Sequence, residues 1–138
     1  MIKDKYAKRE LRESWSTVLA TKQMVKANIV WAFARGGYTS KSFRDLSYNL
    51  TFLFAFSVVE DTLLQLRDEG KFNSKSSRLG ALMEKSKNEI PWVNYSLIDE
   101  ARNKRNRIAH QQEWLGLELC LSYIDAIEVE LMNWGVLK

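Results

Sequence analysis

Cysteine, histidine and proline each occur once in the 138 residues, and glycine only six times. A single cysteine excludes an intrachain disulfide framework and a multi-thiolate zinc site. A single histidine excludes the two- and three-histidine metal centres. With so few turn residues a strand-rich fold is ruled out, since such folds need frequent breakers. The longest apolar stretch, Phe52 to Val59, falls far below the roughly 18 residues of a membrane span. The start, Met1-Ile2-Lys3-Asp4-Lys5, has no apolar signal-peptide core. The expectation is a soluble, cytoplasmic protein with one domain over residues 1–138, not associated with a membrane.

What is present points to helices. Hydrophobic residues make up 46% of the chain and aromatics 12%, enough for a core without staples, because a domain of this length buries about two-thirds of its unfolded surface. Gly36-Gly37, Gly70 and Pro91 divide the chain into long segments with helical periodicity. The first runs from about Asp4 to Ala34. Its stripe is Leu11, Trp15, Val18, Val25 and Ile29, with Lys22 the one polar member, and Arg35-Gly36-Gly37 closes it. The second, about Ser42 to Glu69, carries the seam Phe52, Phe56, Val59, Leu63 and Leu66. Leu50, Phe54 and Val58 lie on its other sides, so its middle is apolar nearly all round, which predicts a central helix covered on several sides.

Gly70 to Ser76 reads as a polar loop. A short helix follows, with Ser77 as its N-cap and Leu79, Leu82 and Met83 as its apolar face. After Pro91, Ser96 with Asp99 resembles a capping box and opens a fourth helix. The last helix carries Leu117, Cys120, Leu121, Ile124, Ile127, Leu131 and Trp134. The expected fold is all-α, a bundle of four long helices and one short one.

The formal charge of +4 is unevenly spread. Lys3, Lys5, Lys8, Arg9 and Arg12 crowd the start, and nine Lys or Arg lie between Lys71 and Arg107. The C-terminal segment is acidic, with Glu113, Glu118, Asp125, Glu128 and Glu130. Such polarity either steers a polyanion to one end of the bundle or is answered by ion pairs between helices.

Residues 102–110 read Arg-Asn-Lys-Arg-Asn-Arg-Ile-Ala-His. His110 is the one imidazole, the side chain whose ordinary pKa lies near neutrality. Asn106 shares its helical face. Arg105 lies five residues earlier, about 140° around and about 7.5 Å along a continuous helix. For both to serve one small group, the helix must bend or end near Ala109, or a second protomer must supply half of the site. Arg105 also falls within the apolar stripe Leu97, Ile98, Ala101 and Ile108, where a guanidinium is costly unless paired, exposed in a cleft, or kept for an anion. Glu60, flanking the seam of the second helix, is its candidate partner. That pair reads equally as a buried salt bridge between helices, and His110 as a cation resting on a helix C-terminus.

The string Arg105 to His110, with asparagine after the arginine and an apolar pair before the histidine, resembles the Arg-polar-x-x-x-His signature of HEPN domains. These are small helical bundles in which the motif closes one helix and a last amphipathic helix follows. The resemblance implies a metal-independent endoribonuclease that needs no cofactor. His110 would act as general base or acid, Arg105 would neutralise the scissile phosphate, and Asn106 would help orient it. Glu60 would match the acidic residue of the second helix. Arg102, Lys104 and Arg107 are the accompanying candidates for RNA binding. Cleavage through the 2′-OH would give a 2′,3′-cyclic phosphate and could not act on DNA. Many members are homodimers with two motifs on one cleft, and the toxic half of a toxin–antitoxin or phage-defence pair, with an antitoxin protein as partner, is the implied setting. Other members are inert and serve as RNA-binding or protein-interaction modules, which is the alternative.

The remaining polar and aromatic residues have plainer readings. Cys120 belongs to the core stripe, and Trp15, Trp31 and Trp134 are packing residues. Trp92 and Tyr95 either pack the Pro91 corner or stack unpaired bases. Ser74, Ser76 and Ser77 are loop and capping residues.

Overall fold

The computed structural model describes residues 1–26, 40–111 and 113–137, and within them the chain is helical with no strand. The helices are α1 (Lys5–Lys26), α2 (Ser40–Asp68), α3 (Leu79–Ser86), α4 (Tyr95–Gln111) and α5 (Leu117–Asn133). Four are long and α3, with eight residues, is short, as the breakers predict. Ile29, Trp31 and the Arg35-Gly36-Gly37 closure lie outside the described residues. Among those described, no helix is long and apolar enough to cross a membrane.

Local chemistry sets the helix ends. Asp4 caps α1, its Oδ1 accepting the N–H groups of Tyr6 (2.9 Å) and Ala7 (3.1 Å). α2 ends at Gly70, whose φ of 81° is open to glycine at little cost. There Gly70 N–H donates to Arg67 O and Lys71 N–H to Leu66 O, the paired bonds of a Schellman closure. Gly135, with φ of 75°, ends α5 in the same way, Val136 N–H reaching Leu131 O.

Two caps differ from expectation. Ser77 does not cap α3: Arg78 holds the N-cap position with no side-chain capping bond, because the Ser77 hydroxyl accepts from Arg67 Nη1 at 3.1 Å. The Ser96–Asp99 box does not form either. Asn94 caps α4, its Oδ1 accepting Leu97 N–H at 3.2 Å, and Asp99 turns to Arg102. The entry is fixed two residues earlier than Ser96 predicts because the buried Glu130 carboxylate, on α5, accepts the N–H groups of Val93 and Asn94, both at 2.8 Å.

α2 is the hub, in contact with all four other helices. Phe52, Phe56, Val59, Leu63 and Leu66 are buried along its seam, with Phe52 and Phe56 packed edge to face. Leu11, Trp15, Val18 and Val25 of α1 meet it from one side, and Cys120, Ile124, Ile127 and Leu131 of α5 from another. The expected cover on several sides is present, and one ridge stays open at Leu50 and Phe54, which are 55% and 36% exposed. The described helices occupy the other faces of α2, and α1 flanks this ridge through Thr21 and Val25 rather than closing over it. Val58, expected with them, is buried.

Pro91 makes the corner before α4. Trp92 stacks edge-on against Trp134 (4.7 Å) and Tyr95 (5.0 Å), and Trp134 Nε1 donates to Pro91 O at 2.6 Å. Of the two readings of these aromatics, packing of the corner is the one observed. Trp15 is likewise a packing residue, tied by Nε1 to Glu128 at 3.0 Å.

Candidate active site

α2, α3 and α4 enclose a cleft of about 650 Å³ lined by Glu60, Arg78, Leu79, Gly80, Ala81, Arg102, Arg105, Asn106 and His110. That volume is within the range of pockets that hold small ligands. Its origin lies in α4: Ile98, Ala101 and Ile108 are buried against the core, which turns Arg102, Arg105 and Asn106 outward at half-buried positions.

Arg105 interrupts the apolar stripe by opening into this cleft. Its Nη2 stands 3.9 Å from Glu60 Oε2, and the two side chains are 31% and 32% exposed. The expected partnership is therefore present, yet it is half-exposed and longer than a hydrogen bond. The fully buried salt bridge is not what forms. Arg105 Nη1 donates to Asn106 Oδ1 at 3.3 Å, so the asparagine helps direct the guanidinium.

His110 is exposed, and α4 continues unbroken to Gln111 before it ends. The separation of Arg105 and His110 around the helix is thus met by the breadth of the cleft, which both line, with the helix ending just past the histidine. The chain beyond is pinned from α2. Asn49, 6% exposed, accepts Leu115 N–H at 2.9 Å and donates to Glu113 O at 3.0 Å.

The accompanying cations divide. Arg102 lines the cleft, its Nε and Nη2 donating to Asp99 Oδ1 at 3.0 and 2.9 Å. Lys104 and Arg107 do not line it. Both bind the Glu113 carboxylate, at 3.0 and 3.1 Å, and these two hydrogen bonds, Lys104 first, hold the Glu113 pKa below its usual value. Elsewhere Lys22 meets Asp125 at 2.6 Å. Part of the charge asymmetry is therefore answered between elements, while the guanidiniums of the cleft keep free donors.

Arg78 is the residue that sequence reasoning missed. A basic side chain beside the positive end of a helix is unfavourable on its own, and no acidic residue stands in the first turn of α3. That mismatch, in the run Ser76-Ser77-Arg78 before a short helix, was the readable signal.

Known families, curated proteins and solved structures give no match to this chain. The reading of the cleft therefore rests on its own chemistry. Its lining offers three guanidiniums, one carboxylate, one carboxamide and one imidazole. Guanidinium forks bind phosphate oxygens in pairs, and an imidazole within reach of a bound group can give or take a proton. The Cys120 thiol is fully buried, its pKa pushed up to about 12 by desolvation, so it is no nucleophile. Among the described residues, no three His, Cys, Asp or Glu side chains are placed to hold a metal ion together.

Proposed function

We propose that the chain is a metal-independent endoribonuclease of the HEPN type, working on RNA in the cytoplasm as a homodimer, with an antitoxin protein as its controlling partner. The observation that carries this reading is the convergence of Arg105, Asn106, His110 and Glu60 on one cleft. RNA brings its own nucleophile. The 2′-oxygen forms a bond to the adjacent phosphorus, the bond from phosphorus to O5′ breaks, the 2′-OH proton departs and O5′ gains one. His110 moves one of these protons, a contribution typically of about 10²–10⁴-fold. Arg105, aimed by Asn106, neutralises the charge that builds on the phosphate oxygens. Glu60 holds the guanidinium in the cleft when no anion is bound.

The alternative, a non-catalytic RNA-binding or protein-interaction module, draws on the Arg105–Glu60 contact, which makes Arg105 an internal ion-pair partner. The 3.9 Å separation and the half-exposed state of both side chains favour an arginine kept for a ligand over one spent on a structural tie. The test is cleavage of structured RNA in excess EDTA. Wild type is expected to cut, and folded His110→Ala and Arg105→Ala variants to lose the activity. Wild type without activity, or variants with full activity, supports the module instead. Activity that EDTA abolishes points to a metal-dependent enzyme.

A further inference from the structure

Three guanidiniums line the cleft but they are held at two places. Arg105 is directed to its α2 side by Glu60 and to Asn106. Arg102 is held at the α3 end. Asp99 fixes its Nε and Nη2 from one side, and the remaining Nη1 lies over Gly80, 3.1 Å from where a Cβ on that glycine would stand. A methyl at this position would require the guanidinium to give by a few tenths of an ångström. Arg78 lines the same end. A single phosphodiester at Arg105 and His110 leaves the Arg78–Arg102 end unoccupied. Asp99 takes the Nε and Nη2 of Arg102, which leaves Nη1 and the Arg78 guanidinium as the donors this part of the lining offers to an anion.

We propose that Arg78 and Arg102 form a second phosphate subsite, which holds the phosphodiester next to the scissile one. The substrate class is then an RNA segment with at least two consecutive phosphodiesters. This rests on the endoribonuclease reading, although the subsite's binding chemistry can be measured without cleavage. Acting together on one phosphate, the two guanidiniums should tighten binding about tenfold once the cost of ordering the extra nucleotide is counted.

The probes are 2′-O-methyl uridine oligonucleotides, which cannot be cleaved: a dinucleotide with one phosphodiester and a trinucleotide with two. Wild type should bind the trinucleotide about tenfold more tightly. Arg78→Gln and Arg102→Gln should remove that preference while leaving dinucleotide affinity and the circular dichroism spectrum unchanged. Equal affinity of wild type for the two probes, binding of neither, or a preference that survives both substitutions overturns the subsite. Asp99→Asn gives a second route if Arg102→Gln fails to fold, since releasing the guanidinium should also reduce the preference. In parallel, RNA cleavage in EDTA reports on the nuclease itself. Arginine-dependent binding without cleavage keeps the subsite and removes the nuclease; cleavage with no dependence of KM on Arg78 or Arg102 does the reverse.

Discussion

Replacing Glu60 by Gln, Arg105 by Met, and both together closes a thermodynamic cycle that measures what the Arg105–Glu60 pair contributes to folding. At 3.9 Å, unit charges interact by about 4 kcal/mol at an effective dielectric constant of 20 and by about 1 kcal/mol in water. Each side chain is about one-third exposed and no hydrogen bond joins them, which places the pair near the aqueous limit. Exposed ion pairs contribute roughly 0–1 kcal/mol once side-chain ordering is counted. The coupling expected from urea denaturation is thus below about 1 kcal/mol, with Arg105→Met close to neutral for stability. A buried structural tie behaves otherwise, since breaking one partner costs about 3–5 kcal/mol. Coupling of about 3 kcal/mol or more would refute the argument that Arg105 is held for a ligand, and would favour the protein-interaction module.

Other predictions concern the elements that set the site. Glu130→Ala should destabilise the fold by about 2–4 kcal/mol in urea, because the N–H groups of Val93 and Asn94 lose a buried charged acceptor; a loss below 0.5 kcal/mol contradicts its role in starting α4. Asn49→Ala should cost about 1–3 kcal/mol and speed amide exchange at Leu115, the donor to its side chain; unchanged exchange contradicts the pinning of the loop after His110. Gly80→Ala should leave stability equal or higher while weakening phosphate binding, since the new methyl would push the Arg102 guanidinium by a few tenths of an ångström. Cys120 should resist iodoacetamide until the protein unfolds. Its folded pKa of about 12 lies above the ordinary value of 9.0. The stability tied to the protonated thiol is therefore complete below about pH 9 and lost as pH rises toward 12, a loss that Cys120→Ala should abolish.

Periodicity made the bundle legible. The α2 seam, the α5 stripe and the Gly70 closure all appear where apolar spacing and backbone freedom put them. Capping was less legible because it depends on distant groups: Glu130, 36 residues from Asn94 in sequence, decides where α4 begins, and Arg67 takes the Ser77 hydroxyl. Of the candidate site, Arg105, Asn106, His110, Arg102 and Glu60 do line one cleft. Lys104 and Arg107 looked equivalent to Arg102 in a run of cations. Helical rotation separates them, and Glu113, supplied by the loop after α4, claims both. Arg78 went unnoticed because its mismatch with the start of α3 marks an unusual position but does not tell that α3 and α4 line one cleft.

The end chemistry of the RNA product tests the central claim most directly. RNA incubated with wild type in excess EDTA should carry a 2′,3′-cyclic phosphate on one side of the cut and a 5′-OH on the other, with neither end produced by His110→Ala. A 5′-phosphate at the cut, or the same cyclic product from folded His110→Ala, would contradict proton transfer by this imidazole to or from a ribose-driven cleavage.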